Sequence, residues 1–537
     1  MAFNYSMNTI AVLQNYMNYT LDETPGMKAL VMDADTIPVV SVLFSMTEII
    51  QKEVYLVQQL SDTTRDTLLH LSAVCLLRPT SANMELLKTE LAAPKYGKYY
   101  LYFTNCLDPS QIALLSHADT HEVVQKVMEL YIDFMPINAD LFISSSPNFC
   151  SITSENSVFW EQKTVSSITS LCLSLKKNPS IRFQQNSELS KRIADGVSMQ
   201  IDKQKDFFKS GSTGVNLVIL DRCFDPITPL LTEWTYQAMI HEFIGIDNGK
   251  VQLNNQSVVL SDDVFYTEHM YQLFSDITDS VIKAVNELTQ KAGVKSKQYN
   301  SLEEMRQVID SIPQMKKESA GVKKHLGLMG LINKAVSSRK MLDVSRLEQE
   351  IVCSSGRAEL FTKMTQLFAG DYMEDDKIRV GMLYALKYEE RAQEIIQELI
   401  KCGVPQEKAE IVGCVIKYGG ASKRPIEIFP KAAKAVLDFV KKSVAGVENI
   451  FVQHKPVLEL LIDSFLTQQS VDKFPYCRGN NTTSKDLIIF IVGGATFEEE
   501  VAVANRNRIS TSGKIILGGT DILNTNKFLE QVINIKQ

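Results

Sequence analysis

The first 140 residues alternate short apolar runs with stretches of helical period. "MKALVMD" (27–33) is apolar on both faces and flanked by polar residues, the mark of a strand buried in a parallel sheet. "SMTEIIQK" then carries helical spacing, "EVYLVQQL" reads as strand, "TRDTLLHL" as helix and "SAVCLLRP" as strand. "SANMELLKTELAA" is helical, "KYYLYFTN" strand and "DPSQIALLSHAD" helical. This βαβ rhythm predicts a parallel α/β sheet. A Ser-rich segment, "FISSSPNFCSITSENS" (142–157), breaks it as a loop or boundary. "VNLVILD" (215–221) restores a buried strand. From about Thr235 to Cys477 helical period dominates, as in "DSVIKAVNELTQKAG" and "KAAKAVLDFVKKSV". Strands return as "LIIFIVGG" and "KIILGG", each ahead of a helical pattern. The economical reading is an α/β fold interrupted by a large, mainly helical insertion.

The bulk numbers narrow this picture. A length of 537 residues suggests about three domains. Hydrophobic residues make up 45% and charged residues 22%, an ordinary globular balance. A net charge of −7 argues against a general nucleic-acid binder. Nine scattered cysteines without a C-x-x-C pair point to reduced, mostly buried thiols. The N-terminus lacks the basic region and apolar core of a secretory signal. Apolar runs such as "LIIFIV" are far shorter than the ~20 residues of a membrane span. A soluble chain that meets membranes only through partners is therefore expected.

Candidate chemistry begins at "ALVMDADTIPVV" (29–40), where a strand ends in D-x-D-x-T. Asp33 could attack phosphorus and Asp35 trade protons with the leaving group. A Mg²⁺-dependent phosphohydrolase also needs a downstream Lys and an acidic pair. "VVLSDD" (258–263) offers acids, but inside the helical insertion, and Pro38 crowds the turn. A strand end carrying two carboxylates is the simpler reading. "IVGGATFEEEVA" (491–502) resembles a phosphate cradle without its G-x-G-x-x-G. Thr496 and Glu499 instead form a capping box, and three glutamates would repel phosphate. The paired glycines are read as letting the helix pack closely on the sheet. In "LVILDRCFDPITPLLTEWTYQAMIHEF" (217–243), Asp221 and Asp225, four apart, could bind a metal, but Arg222 between them reads rather as part of an ion pair fixing a turn. No cysteine or histidine sits in a catalytic motif or at metal-ligand spacing. From Gln314 to Lys340, seven Lys/Arg face one acid, a local reversal of charge with a break expected at Gly321. It reads either as a solvated face or as a basic and apolar arm for an acidic helical partner or anionic membrane.

The block 217–246 resembles the hallmark of the SM family, the syntaxin-binding proteins of vesicle fusion. "LIIFIVGGATFEEEVAVANRN" and "KIILGGTDILNTNKFLEQV" resemble that family's C-terminal block. "IIQKEVYLVQQL", "PKYGKYYLYFTN", "MLYALKYEER", "VIKYGGASKRP" and "VQHKPVLELLID" resemble its endosomal and trans-Golgi branch. The resemblance implies a three-domain arch of two parallel-sheet α/β domains and a helical domain around a central cleft. Domain 1 would span 1–137, domain 2 would be split as 138–240 and 480–537, and domain 3 would span 241–479. A SNARE-templating hairpin is implied near 290–345, involving Pro313, Lys316, Lys317, Gly321, Lys323, Lys324 and Leu326. An N-peptide pocket is implied at Ile112, Val124, Val127 and Glu129, with Val124 and Val127 expected on one helix face at i, i+3. The cleft face of domain 1 would include Asp33, Pro38 and Val42. The implied function is non-enzymatic regulation of SNARE assembly on endosomal, Golgi and vacuolar routes, with no cofactor and no metal. Implied partners are a syntaxin-like Qa-SNARE, the assembled SNARE bundle, an R-SNARE and a Rab effector. A cytoplasmic monomer, peripheral to membranes, is expected. One departure stands out: relatives of synaptic type carry basic residues on the cleft face, and none lies between Asp33 and Glu48 here.

Overall fold

The computed structural model describes residues 6–147, 157–209, 213–261, 263–291, 301–310, 316–424, 450–469, 471–479 and 484–534. The chain divides into two compact units. The first comprises residues 1–220, 471–493 and 503–521, and the second 221–470, 494–502 and 522–537.

The first unit opens with helix α1 (Thr9–Glu23), N-capped by Asn8. Strands β1 (Lys28–Met32), β2 (Val54–Gln59), β3 (Leu68–Leu77), β4 (Tyr96–Phe103) and β5 (Val124–Glu129) follow. They pair in parallel in the order β2-β1-β3-β4-β5. Helices α2 (Thr36–Leu43), α3 (Met46–Gln51), α4 (Ser81–Ala92) and α5 (Pro109–Ala118) make the crossovers. Every residue of β1 is buried, as a strand covered on both faces requires. "TRDTLLHL", expected as helix, instead leads into β3, which starts at Leu68. Its inward alternation only begins near Leu71, so the apolar spacing before that point imitates a helix.

A second sheet in the same unit uses β6 (Met135–Pro136), β7 (Leu141–Ile143), β8 (Lys177–Phe183) and β9 (Thr213–Asp221). Helices α6 (Ser157–Ser174) and α7 (Glu188–Lys203) lie between these strands in sequence. A hairpin of β10 (Lys250–Leu253) and β11 (Gln256–Val259) interrupts the helical stretch. The late strands are β12 (Tyr476–Arg478), β13 (Leu487–Val492), β14 (Ala495–Thr496), β15 (Ile515–Gly519) and β16 (Ile522–Leu523). The second sheet has the order β12-β8-β9-β13-β15-β7-β6, so strands some 270 residues apart in sequence lie side by side. One apolar core runs beneath both sheets, from Leu13 and Leu30 through Phe142 and Ile168 to Phe490.

The second unit is mainly helical. Its early helices are α8 (Tyr236–Phe243), α9 (Val264–His269), α10 (Phe274–Lys291) and α11 (Leu302–Asp310). Helices α12 (Lys316–Ser338), α13 (Met341–Cys353), α14 (Arg357–Ala369) and α15 (Glu374–Lys387) follow. The segment Asp221–Thr235 holds only short 3-10 turns, Arg222–Phe224 and Thr228–Leu230, yet it is almost wholly buried. Its polar groups are therefore matched internally. Arg222 makes a two-point contact with Glu499, at 2.8 and 2.9 Å, with both side chains fully buried. Burial opposes the guanidinium charge, but Glu499 and Asp225 more than offset it and raise its pKa. Asp225 accepts from the amides of Ile227 and Thr228 at 3.1 Å and from Val457 at 3.2 Å. Glu348 accepts from the Thr232 amide at 2.9 Å and pairs with Arg379 at 2.8 Å.

The expected Thr496–Glu499 capping box forms, with reciprocal bonds of 2.9 and 3.2 Å. Gly493 and Gly494, expected to serve close helix–sheet packing, have φ of +99° and +102°. Their role is a left-handed turn that a side chain would strain. Breaking the buried pair gives the first prediction. Arg222→Met leaves Glu499 uncompensated and should cost about 3–5 kcal/mol in denaturant unfolding. Arg222→Met with Glu499→Leu should recover part of that loss.

Candidate functional site

Three surfaces follow from the sequence, and the structure treats each differently. The first is the D-x-D-x-T strand end. Asp33 is 5% exposed. Its Oδ1 accepts from the amides of Asp35 (3.0 Å) and Thr36 (2.8 Å). Its Oδ2 accepts from the Arg78 amide and the Asn83 side chain, both at 2.6 Å. The Thr36 hydroxyl lies 3.0 Å from Leu76 O, tying α2 to the end of β3. This carboxylate joins β1, α2, β3 and α4, and its lone pairs are spent on backbone and amide donors. A carboxylate this buried and this fully hydrogen-bonded is a joint between elements and presents little surface to a partner. Pro38 sits in the first turn of α2, where proline is tolerated, and Val42 packs against the first unit's core. Basic residues do reach this strand end, from other elements. Half-exposed Asp35 lies 3.8 Å from Arg78 and 3.5 Å from Lys163.

Beside it, at the carboxyl ends of β3, β4 and β5, a crevice of about 510 Å³ opens. Ligands of doubly wound sheets bind at such strand ends. Arg78, Asn105, Asp133 and Ser166 line it, with exposed Phe159 and Met199 at its rim. Arg78 Nε pairs with Asp133 at 2.9 Å, and burial pushes the Asp133 carboxyl up despite that partner. Its cations thus already have carboxylate partners.

The second surface is the edge strand β5 with α5. Val124 and Val127 are not on a helix. A bulge at Gln125 shifts the register, so Tyr99 pairs with Val124 while Leu101 pairs with Val127 and Phe103 with Glu129. Tyr99, Leu101 and Phe103 all point into the core beneath α4 and α5. The bulge therefore returns Val124, Val127 and Glu129 to one face, the relation expected from helical spacing but made by a strand. Val124 packs against that core, and Val127 stays 44% exposed. Ile112, on α5, is 50% exposed. Glu129 Oε1 accepts from the Leu107 amide at 2.7 Å, which holds the β4–α5 loop.

The third surface is the basic stretch. Lys316–Ser338 forms one continuous helix, α12, so the break expected at Gly321 is absent. Pro313 lies outside the described residues, and Lys316 and Lys317 begin the helix. Leu326, Leu328, Met329 and Ile332 are buried, and Leu331 is 38% exposed. The apolar residues form a stripe at helical spacing and serve the second unit's core rather than an open arm. A Cβ on Gly327 would lie 3.2 Å from Leu253, so glycine lets α12 approach the β10–β11 hairpin. Lys323 is half-buried, and Lys324 is paired with Asp263. Asp263, read from the sequence only as one of the acids in "VVLSDD", has a structural role instead: its Oδ1 caps α9 through the Tyr266 amide at 2.9 Å. The signal was present: S-D-D ahead of an apolar run is an N-cap pattern. Among the described residues no three His, Cys, Asp or Glu side chains gather as metal ligands, and no helix is long and apolar enough to cross a membrane.

Comparison with known proteins agrees along the whole chain. The family model described as "Sec1 family" matches residues 28–531. Vacuolar protein sorting-associated protein 45 of Mus musculus is 36% identical over 98% of this chain and 96% of its own length. The protein of the same name from Homo sapiens gives the same identity and coverage. A solved structure described as "SM Protein Vps45 in Complex with Qa SNARE Tlg2" superposes with a TM-score of 0.86 at 30% identity, covering 98% of both chains.

The two neighbouring carboxylates make a direct test of the strand-end geometry. Asp33→Asn should cost about 2–3 kcal/mol, because an amide N–H then faces other donors. Asp35→Asn, which loses long surface pairs, should cost under about 1 kcal/mol. Equal losses in urea unfolding would contradict the assignment.

Proposed function

The chain belongs to the Sec1 family, and from that premise we propose that it binds a syntaxin-like Qa-SNARE and regulates SNARE assembly in vesicle fusion, without catalysis. The observation that carries this reading is the full-length likeness to an SM protein solved with a Qa SNARE. The route is endosomal and trans-Golgi, toward the vacuole, and the protein acts in the cytoplasm as a monomer at Golgi and endosomal membranes. Further partners are the assembled SNARE bundle, an R-SNARE and a Rab effector. We divide it functionally into domain 1 (1–137), a split domain 2 (138–240 and 480–537) and domain 3 (241–479).

An N-terminal peptide of the SNARE docks on the outer face of β5 and α5. Exposed Ile112 and Val127 take its apolar residue, Val124 supplies the floor, and Glu129 gives an acidic rim. Peptide docking of this kind needs apolar anchors on a rigid element, and a bulged, paired strand provides one. The SNARE-templating surface lies along the N-terminal part of α12, near Gly321 and Lys323, within a hairpin near 290–345. Pro38 and Val42 on α2 contribute a second contact surface on domain 1. A phosphohydrolase reading is disfavoured because the Asp33 carboxylate is saturated.

The peptide surface is tested by Val127→Arg. A synthetic N-terminal peptide of a syntaxin-like Qa-SNARE should bind this variant about tenfold or more weakly, as for a charge placed in an apolar hot spot. Unchanged affinity would sink the surface assignment. Reconstituted SNARE assembly that runs equally fast with and without the protein would replace the regulatory reading by a tethering scaffold.

A further inference from the structure

Helix α12 carries a buried imidazole to which the reading above gives no role. His325 is 1% exposed. Its Nδ1 lies 2.8 Å from the Tyr236 hydroxyl of α8, and its Nε2 lies 3.0 Å from Asp263 Oδ1, ahead of α9. Asp263 also pairs with Lys324, whose Nζ donates to Val259 O at 3.1 Å. The Phe265 ring of α9 packs on the imidazole at 4.6 Å between centroids, and stacks on the His269 ring at 4.3 Å. Burial opposes the Asp263 charge, yet hydrogen bonds from His325 and Lys324 hold its carboxyl well below the usual range. An ionised Asp263 can only accept, so Nε2 must donate. In a neutral ring Nδ1 is then an acceptor, and the Tyr236 O–H donates to it.

We propose that His325 is a positioning residue for α12: its neutral Nε2–H imidazole, clamped between Tyr236 and Asp263, sets the rotation and height at which the N-terminal part of the helix is presented. The apolar stripe chooses which face of α12 turns inward, but dispersion contacts tolerate small slides. A directed chain of hydrogen bonds through α8, α12 and the start of α9 does not. Gly321 and Lys323 precede the clamp by four and two residues, so their placement follows from it. The consequence for SNARE binding rests on the function proposed above; the clamp itself does not.

The clamp is sensitive to protons with a definite sign. Burial lowers the His325 pKa, against the pull of Asp263, while Lys324 and His269 add to the lowering. The stability that a neutral His325 contributes is complete above the ordinary histidine value of about 6.5 and is lost as pH falls below it.

The test is amide hydrogen exchange on the full chain with no SNARE present, so its failure is separate from failure of the peptide experiment. Tyr236→Phe keeps the ring and removes one hydroxyl. It should speed exchange in residues 320–329 about tenfold, the equivalent of about one hydrogen bond, while α13 and α15 stay unchanged. In the unsubstituted chain the same amides should lose protection between about pH 7 and pH 5.5, after correction for intrinsic rates. His325→Gln should abolish that step. The ¹⁵N signature of His325 near pH 7 should be that of a neutral ring protonated at Nε2. Unchanged or unit-wide exchange in Tyr236→Phe, a pH step surviving in His325→Gln, or a ring protonated at Nδ1 would each overturn the proposal. If His325→Gln does not fold, Tyr236→Phe and the imidazole signature decide it.

Discussion

The buried Arg222–Glu499 pair is the constraint on which the second unit rests. A guanidinium cannot be taken out of water alone, and an irregular segment cannot be buried unless its amides and carbonyls find partners. Both demands are met at one place. Arg222 takes two oxygens of Glu499, and its Nε donates to Asp225 O at 3.1 Å. Further along, Glu348 and Arg379 serve Leu230 and Thr232 in the same way. Residues 221–235 are therefore fixed without regular secondary structure. That explains why a block so rich in charge and proline is interior rather than a surface loop.

A second regularity links distant parts of the chain. Asp33 with Thr36 and Asp225 with Thr228 are the same D-x-x-T device. In each, one carboxylate accepts the threonine amide and a neighbouring amide, while the threonine hydroxyl closes the turn. Asp263 caps α9 in a related way. A carboxylate that satisfies several donors at once suits a parallel fold, whose strand ends must redirect the chain sharply. The same arrangement turns the lone pairs of Asp33 toward those donors. The residues of "DADT" build a strand-to-helix turn.

These cases show which parts of the structure are legible in the sequence. Strands apolar on both faces, such as Lys28–Met32 and Leu487–Val492, are read correctly because burial on two sides leaves no periodicity to confuse. The strand beginning at Leu68 and the bulged strand Val124–Glu129 are misread for a common reason. Each breaks strict alternation, one by starting half-exposed and the other by inserting Gln125, and broken alternation imitates helical spacing. The expected relation between Val124 and Val127 survives that error because the bulge returns both to one face. Contacts that need tertiary proximity, such as Arg78 and Lys163 beside Asp35, leave no local pattern at all.

Helix α12 shows what composition leaves open. Seven basic residues between 314 and 340 allow either a solvated face or an arm, and the apolar positions Leu326, Leu328, Met329 and Ile332 among them are core. A cationic helix can belong to an interior only if the charges that cannot snorkel to water are answered there. Lys324 is answered by Asp263, Arg339 by Asp376 at 2.7 Å, and Lys340 reaches the Asp371 carbonyl at 2.9 Å. The acids come from outside α12: one partners Lys324 within the helix, and the others hold Arg339 and Lys340 just past its C-terminal end, so charge adds to the apolar face in fixing it. A helix held that way can offer its remaining face to a partner without itself coming loose. An unpaired basic arm would have to order itself first, at the cost in conformational entropy that coupled folding and binding carries.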